Sequence, residues 1–403
     1  MAGQPADTRA RDGDPVKLLH VVASYLPAVR YGGTIVSVHG LCKALAARGH
    51  DVHVYTTSVD GDSNSPVPHE VAVDVDGVHV WYFSSPRFRR LYWAPSMKRR
   101  LRRHVSDFDV VHTHAIYLWP LWTAARSARD AGVPYVVSPR GMLEKALIEE
   151  RSAVLKAGLI GFIERRTLED AAAIHVTSAR ELKEASTFGF RLPRVHEIPN
   201  GVNLDSDASG ASAPIAALAG GQPFVLFLGR ISWKKGLDRL LRAFALVERA
   251  RLVIAGNDEE QFQPALETLA RQLGLGDRVI FTGQVGTADK ATLLRNAQCL
   301  VLPSYSENFG NVVVEAMAEA CPVIVTPEVG LAPAVQSSGA GIVVNGDSED
   351  LAAAISSVIA DPQRRAVMGQ RGRAAAAGFS WPAVAEQMER LYESVVRERS
   401  HAS

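Results

Sequence analysis

The fold class predicted is α/β, with two domains that each carry a doubly wound parallel sheet. Three observations predict it. Short apolar strands alternate with amphipathic helices along nearly the whole chain, which is the order that parallel crossovers require. A low-complexity stretch rich in Ala, Ser, Gly and Asp, LDSDASGASAPIAALAGGQ at Leu204–Gln222, breaks that alternation near the middle. The length of 403 residues, with 47% apolar and 22% charged side chains, supplies material for more than one packed core. The expected layout is a disordered tail over 1–15, a first domain over 16–203, a linker over 204–222, a second domain over 223–380 and a terminal helical segment over 381–403.

Val16–Val22 (VKLLHVV) reads as a buried strand, followed by a loop and a helix from about Thr34 to Ala47. Gly49 ends that helix and Asp51–Thr57 returns as the second strand. This βαβ opening has no G-x-G-x-x-G turn, which weighs against a nicotinamide or flavin dinucleotide site. Gly32 and Gly33 stand just before the helix, where residues without Cβ let a phosphate approach backbone N–H groups; a flexible turn is the other reading. Val71–Val75 and Val78–Phe83 alternate around Asp76-Gly77 and predict a hairpin. Arg87–His104 then carries eight Lys and Arg and no acid, a solvated helix face or a surface for membrane or acceptor.

Asp109–Thr113 is the next strand, closed by His112 and His114. If the strand runs through His114, alternation puts both imidazoles on one side, so a metal pair is conceivable, but local spacing suggests no third ligand. His112 also reads as a packed strand residue, whereas His114 lies at the carboxyl end, where site residues collect. Val133–Ser138 follows as a strand, with Arg140 after it, either a binder of an anionic group or a surface residue. Helices from about Glu144 to Asp170 and strands at Ala172–Thr177 and Val195–Pro199 close the domain.

Beyond the linker, strands are expected at Phe224–Leu228, Arg251–Ala255, Arg278–Thr282, Cys299–Leu302, Val323–Thr326 and Gly341–Val344. GRISWKKGLD after the first of them sets Arg230 and Lys235 around a strand-to-helix turn, where cations converge on phosphate oxygens; Lys234 is the less favoured of the adjacent lysines. In PSYSENFGNVVVEAMAEACPV, Pro303 leads into a polar loop, and Gly310 and Asn311 open a helix. That helix carries Val312, Val313, Ala316 and Ala320, and Pro322 stops it. Glu307 in the loop and Glu315 in the second helical turn can both face a ligand whose anionic part lies against the helix N-terminus. Ordinary solvated carboxylates are the plainer alternative.

The formal net charge is +1, with +4 on the first 205 residues and −3 on the remainder, which makes no case for a nucleic-acid partner. Cys42, Cys299 and Cys321 are far apart in apolar or helical contexts and read as reduced core thiols. No run of about 18 apolar residues occurs to span a membrane.

The Glu-x-Phe-Gly loop, the Glu-Ala-x-Ala helix and the Cys-Pro-Val strand of Glu307–Val323 together resemble the nucleotide-sugar site of family 4 glycosyltransferases, retaining enzymes of the two-domain GT-B fold. GR-x4-KG at Gly229–Gly236, the Gly32-Gly33 pair, the HTH of His112–His114 and IPNGV at Ile198–Val202 match the same family in the same order. SPRGML at Ser138–Leu143 resembles a version found among enzymes that build extracellular polysaccharides. The resemblance runs from Val16 to about Arg399. It implies two Rossmann-like domains facing across a cleft, with the last helix crossing back to the first. It also implies transfer of a hexosyl group from a nucleotide-diphosphate sugar, a co-substrate, to a saccharide or lipid-linked acceptor, with no cofactor and no metal.

By the same resemblance Arg230, Lys235 and the amides at Gly32 and Gly33 serve the diphosphate, and Glu315 the ribose. Glu307 and the Phe309-Gly310 backbone serve the sugar, with Asn311 also on the donor side. His114 lies beside the transferring sugar, and Arg140 is an acceptor-side candidate. The expected setting is cytoplasmic, at the inner face of the plasma membrane if Arg87–His104 meets anionic lipid. A nucleotide-sugar 2-epimerase of the same fold and a non-catalytic nucleotide-sugar binder are the alternatives.

Overall fold

The computed structural model describes residues 15–28, 32–143, 154–187, 189–205, 208–248, 250–258 and 260–402. The expected tail over 1–15 lies outside them except for Pro15, as do residues 144–153 of the helical stretch expected from Glu144. The chain forms two compact units, Met1–Val176 with Leu182–Ile198 and Ala385–Ser403, and Thr177–Glu181 with Pro199–Val384.

The first unit is built on β1 (Lys17–Ser24), β2 (Asp51–Thr57), β3 (Ala72–Val75), β4 (Val78–Phe83), β5 (Val110–His114), β6 (Tyr135–Ser138), β7 (Ala173–Val176) and β8 (Val195–Glu197). They form one sheet in the order β8-β7-β6-β5-β1-β2-β4-β3, parallel except for the edge hairpin β3-β4. That hairpin turns on Asp76 and Gly77 at φ 57° and 81°, the paired left-handed residues a tight hairpin needs. Leu19, Val21, Val111, Val137 and Ile174 of the central strands are buried in one core, and the alternating positions His20, His112, His114, Ser138 and His175 are buried as well.

The first helix, Gly33–Ala47, buries Ile35, Val38, Leu41, Cys42 and Leu45 at helical spacing. Gly32 is its N-cap at φ 79°, a left-handed conformation that favours glycine. The basic stretch is a single turn at Arg89–Leu91 and a helix at Pro95–His104, separated where Tyr92 takes φ 55°. The last helix, Trp381–Ala402, joins the first unit from Ala385 onward and buries Ala385, Met388, Leu391 and Tyr392.

The second unit has β9 (Phe224–Leu228), β10 (Arg251–Ala255), β11 (Val279–Gly283), β12 (Leu300–Leu302), β13 (Val323–Val325) and β14 (Gly341–Val343). All pairings in its sheet are parallel, in the order β11-β10-β9-β12-β13-β14. The stretch expected as linker contains a helix at Ala213–Ala219, with Pro214 in its first turn and Ile215 buried in the second core. Low complexity misleads there because alanine, which reads as linker by composition, is also the strongest helix former.

The helix expected to reach Ala320 spans Asn311–Ala318. Ala320 takes φ 55°, its N–H bonds Met317 O at 3.0 Å and the Cys321 N–H bonds Ala316 O at 2.8 Å, a left-handed C-terminal closure that turns the chain before Pro322 is reached.

Candidate functional site

In the second unit the loop after β12 is fastened on two sides. The Tyr305 N–H donates to Lys234 O at 2.8 Å, and Tyr305 Oη donates to Asp238 at 2.9 Å with the Arg239 guanidinium stacked 3.5 Å over its ring. On the other side the loop runs beside the turn after β13. Glu307 N–H bonds Glu328 O at 3.1 Å, and the N–H groups of Gly330 and Leu331 return to Glu307 O and Phe309 O at 2.9 and 3.1 Å. Gly236 allows the closest approach, since a Cβ there, at φ 65°, would sit 2.0 Å from Pro303 O. These contacts hold the loop in place.

Glu307 and Lys235 are brought together: Lys235 Nζ pairs with Glu307 Oε2, both side chains largely buried. Glu315 accepts from Lys290 Nζ at 2.7 Å. Arg230 is exposed and has no side-chain partner among the described residues. Phe309 is a core residue, its ring 6.4 Å from that of Phe379, so only its backbone faces the loop. Gly310 caps the helix at φ 95°, and Asn311 Oδ1 accepts from Asn200 Nδ2 at 2.9 Å. Of these partners, Asn200 lies in the IPNGV motif, whereas Lys290 was not singled out from the sequence: it lies on a different helix, Thr287–Asn296, and nothing local marks it.

In the first unit β5 does run through His114, and His112 and His114 do lie on one side with ring centroids 4.1 Å apart. Contrary to the local spacing, a third imidazole, His20 of β1, completes a cluster whose candidate ligand atoms lie within 4.8 Å of one another. Hydrogen bonds already occupy that cluster. Arg140, at φ 57° after β6, donates to His114 Nδ1 at 3.1 Å, and His114 Nε2 meets His20 Nδ1 at 2.9 Å. Since arginine only donates, neutral His114 must give its Nε2 proton to His20.

A second chain is equally directional. His175 Nε2 donates to Ile198 O at 2.8 Å, so its Nδ1 accepts from Ser138 Oγ at 2.6 Å. Ser138 then accepts from His112 Nε2 at 2.7 Å, and His112 Nδ1 accepts from Tyr392 Oη at 2.7 Å. Burial, with the Arg140 charge added, holds His20 and His175 down at about 3 and His112 and His114 well below the ordinary range. His114 is fully buried with both ring nitrogens engaged. His20, Ser138, His175 and Tyr392 are members that the sequence did not signal, because three strands and the last helix contribute them.

Two Rossmann-like α/β units with parallel sheets define a GT-B architecture. The chain belongs to the group 1 glycosyltransferases: residues 211–375 match the family described as glycosyl transferases group 1, and residues 32–201 match the glycosyl transferase 4-like domain. It is 30% identical to the D-inositol 3-phosphate glycosyltransferase of Mycolicibacterium smegmatis over 87% of this chain and 83% of that one. Among solved structures it is similar to sucrose-phosphate synthase from Thermosynechococcus elongatus, with a TM-score of 0.75 and 25% identity over 96% of this chain and all of that one. HepE from Anabaena, solved in complex with UDP and glucose, has the same fold, with a TM-score of 0.73 and 20% identity over 94% of this chain and all of that one.

Proposed function

We propose that the protein is a metal-independent, retaining hexosyltransferase that takes its sugar from a nucleotide-diphosphate donor. The observation that carries the reading is the Lys235–Glu307 pair, a cation and a carboxylate held on adjacent loops at the carboxyl ends of β9 and β12. Breaking a sugar–phosphate bond builds negative charge on the leaving diphosphate, and Arg230 and Lys235 stabilise it. The family pattern assigns the Gly32 and Gly33 amides to the same diphosphate. Glu315, steadied by Lys290, accepts from ribose hydroxyls; Glu307 and the Phe309-Gly310 backbone hold the sugar, with Asn311 shaping the helix start. His114, whose ring nitrogens are taken, acts as a positioning residue for Arg140. No side chain is assigned as a covalent nucleophile, and the acceptor attacks from the face that the nucleotide leaves.

The acceptor is a saccharide or lipid-linked saccharide, met at an anionic membrane surface in the cytoplasm. A second reading, a small phosphorylated polyol, is favoured by the names of the inositol-phosphate and sucrose-phosphate relatives and by the cationic Arg140. Thermal-shift screening against UDP- and GDP-sugars identifies the donor, and turnover of that donor with each acceptor class separates the two readings. Conversion of the donor with no acceptor present would instead identify an epimerase, and binding without any turnover would identify a non-catalytic module.

A further inference from the structure

Asp51 and His53 stand two apart on β2 and project from one face of the sheet, and His79 on β4 is the register partner of His53. Their candidate ligand atoms all lie within 4.8 Å of one another. His53 Nε2 is 2.9 Å and His79 Nε2 3.8 Å from Asp51 Oδ1, and the two imidazole centroids are 4.9 Å apart. Ligand atoms around a tetrahedral zinc, with bonds of about 2.0–2.2 Å, are roughly 3.3–3.5 Å apart. Small side-chain rotations bring this set to that spacing.

We propose that Asp51, His53 and His79 form a site for a divalent transition ion of the zinc, nickel or copper kind. Two imidazoles and one carboxylate suit those ions, whereas magnesium and calcium prefer all-oxygen sets. Strand register preorganises the three ligands, and the half-exposed position leaves room for water on the ion. Two neighbours oppose binding. Lys17 Nζ lies 3.1 Å from Asp51 Oδ2, and the Trp81 indole N–H donates to His53 Nδ1 at 3.3 Å. An ion on His53 Nε2 requires the ring proton on Nδ1, so the Trp81 bond must break. Both effects hold the affinity below that of closed structural sites, and the second gives the site its own reporter.

The ligands occupy the first residues of β2 and β4. Gly32, His114 and Arg140 lie at or beyond the carboxyl ends of β1, β5 and β6 in the same sheet. The ion therefore braces the fold and takes no part in transfer, and the inference stands or falls apart from the proposed function.

The test uses the full chain stripped with chelator and then titrated with zinc, nickel or magnesium chloride, followed by indole emission and melting temperature. Nickel is expected to quench emission saturably and zinc to raise the melting temperature, with magnesium doing neither. Trp81→Phe removes the quench and keeps the zinc stabilisation. His53→Ala and His79→Ala each weaken zinc binding by about tenfold or more, and half-exposed His79→Ala melts like wild type without metal. No saturable response in the wild type overturns the proposal. So does a zinc effect that persists in the double His53→Ala/His79→Ala variant, which would place the ion elsewhere, the buried His20 cluster included.

Discussion

Lys235 and Glu307 form an ion pair, at 18% exposure for each side chain. The resemblance assigns them to different parts of a donor, the diphosphate and the sugar. A diphosphate that draws Lys235 toward it frees Glu307 to accept from sugar hydroxyls, so the pair couples the two halves of donor recognition. Lys235→Ala should lower turnover about a hundredfold, the loss of about 3 kcal/mol of charge stabilisation. It should also lower the melting temperature, because Glu307 is left without its cation. Arg230→Ala should cost similar turnover with no change in melting, since Arg230 is exposed and unpartnered among the described residues. Near wild-type kcat in both variants would remove the clamp assignment.

The two glutamates should separate in binding experiments. Glu315→Ala is expected to weaken affinity for the free nucleoside diphosphate, and Lys290→Met should do the same to a smaller extent, acting only through Glu315 at 2.7 Å. Glu307→Ala should spare that affinity and impair transfer. Calorimetric titration of the diphosphate into the three variants decides it. Equal losses for Glu307→Ala and Glu315→Ala would end the division of labour.

What the sequence disclosed and what it hid differ by range. Strands declared themselves because a run such as FVLFL is apolar on both faces, and the Asp76-Gly77 turn declared itself because a tight hairpin needs left-handed residues. Glu307, Glu315, Arg230 and Lys235 could be singled out as candidates because each lies within a short contiguous motif, Glu307 and Glu315 in one loop and the helix after it and Arg230 and Lys235 in one turn, that resembles the family. Their partners were not. Lys290 meets Glu315 across 25 residues, His20 meets His114 across 94 and Tyr392 meets His112 across 280, and no local period encodes such contacts. Composition misread Ala213–Ala219, and charge counting misread Arg100, which stacks 3.3 Å from the Trp81 ring centroid and donates to Tyr55 Oη.

Stability should fall on the acid side. His20, His112, His114 and His175 stay neutral when folded, while in the unfolded chain they titrate near 6.5. Below that value the unfolded chain binds protons that the fold refuses, at up to about 1.4 kcal/mol per pH unit for each residue. Glu164 works in the opposite direction. Burial raises its carboxyl from 4.5 to about 7, against the hydrogen bonds from the Trp122 indole and the Tyr117 amide, which favour the anion. The folded state then holds a proton between those values that the unfolded state has lost, so this contribution fades as pH rises through 7. Urea midpoints should therefore fall from about pH 6.5 toward pH 5. Glu164→Gln should be more stable than wild type near pH 8 and show no such gain near pH 5. A gain of equal size at both would rule out the carboxyl as its source.

Transfer should survive exhaustive chelation, even though chelator empties a site at Asp51, His53 and His79. Diphosphate charge is assigned to Arg230 and Lys235, not to an ion. The product linkage should keep the anomeric configuration of the donor. Proton NMR of product formed in excess EDTA reads both outcomes, and an inverted product or a chelator-dead enzyme would contradict the proposed reaction.

The basic stretch gives the last expectation, and the structure decides which residues test it. Arg89 is tied to Asn64 and to the carbonyls of Gly61 and Ser63, and Arg100 to Trp81 and Tyr55, so neither is available to a surface. Lys98, Arg99, Arg102 and Arg103 are exposed on the helix Pro95–His104. Lys98 and Arg102 also line an open groove of about 640 Å³ with Trp119, Trp122, Arg126 and Phe162, the last 71% exposed. Cations beside rings suit an anionic headgroup layer, each cation near the surface contributing on the order of 1 kcal/mol. No helix among the described residues is long and apolar enough to cross a membrane. Wild-type protein is expected to co-sediment with vesicles rich in anionic lipid at low salt and to release as salt rises. Changing Lys98, Arg99, Arg102 and Arg103 to Gln should abolish that binding at unchanged melting temperature and nucleotide affinity. Arg100→Gln should leave vesicle binding intact and lower the melting temperature. Unchanged sedimentation of the fourfold variant, or none by the wild type, makes this helix face a solvated one.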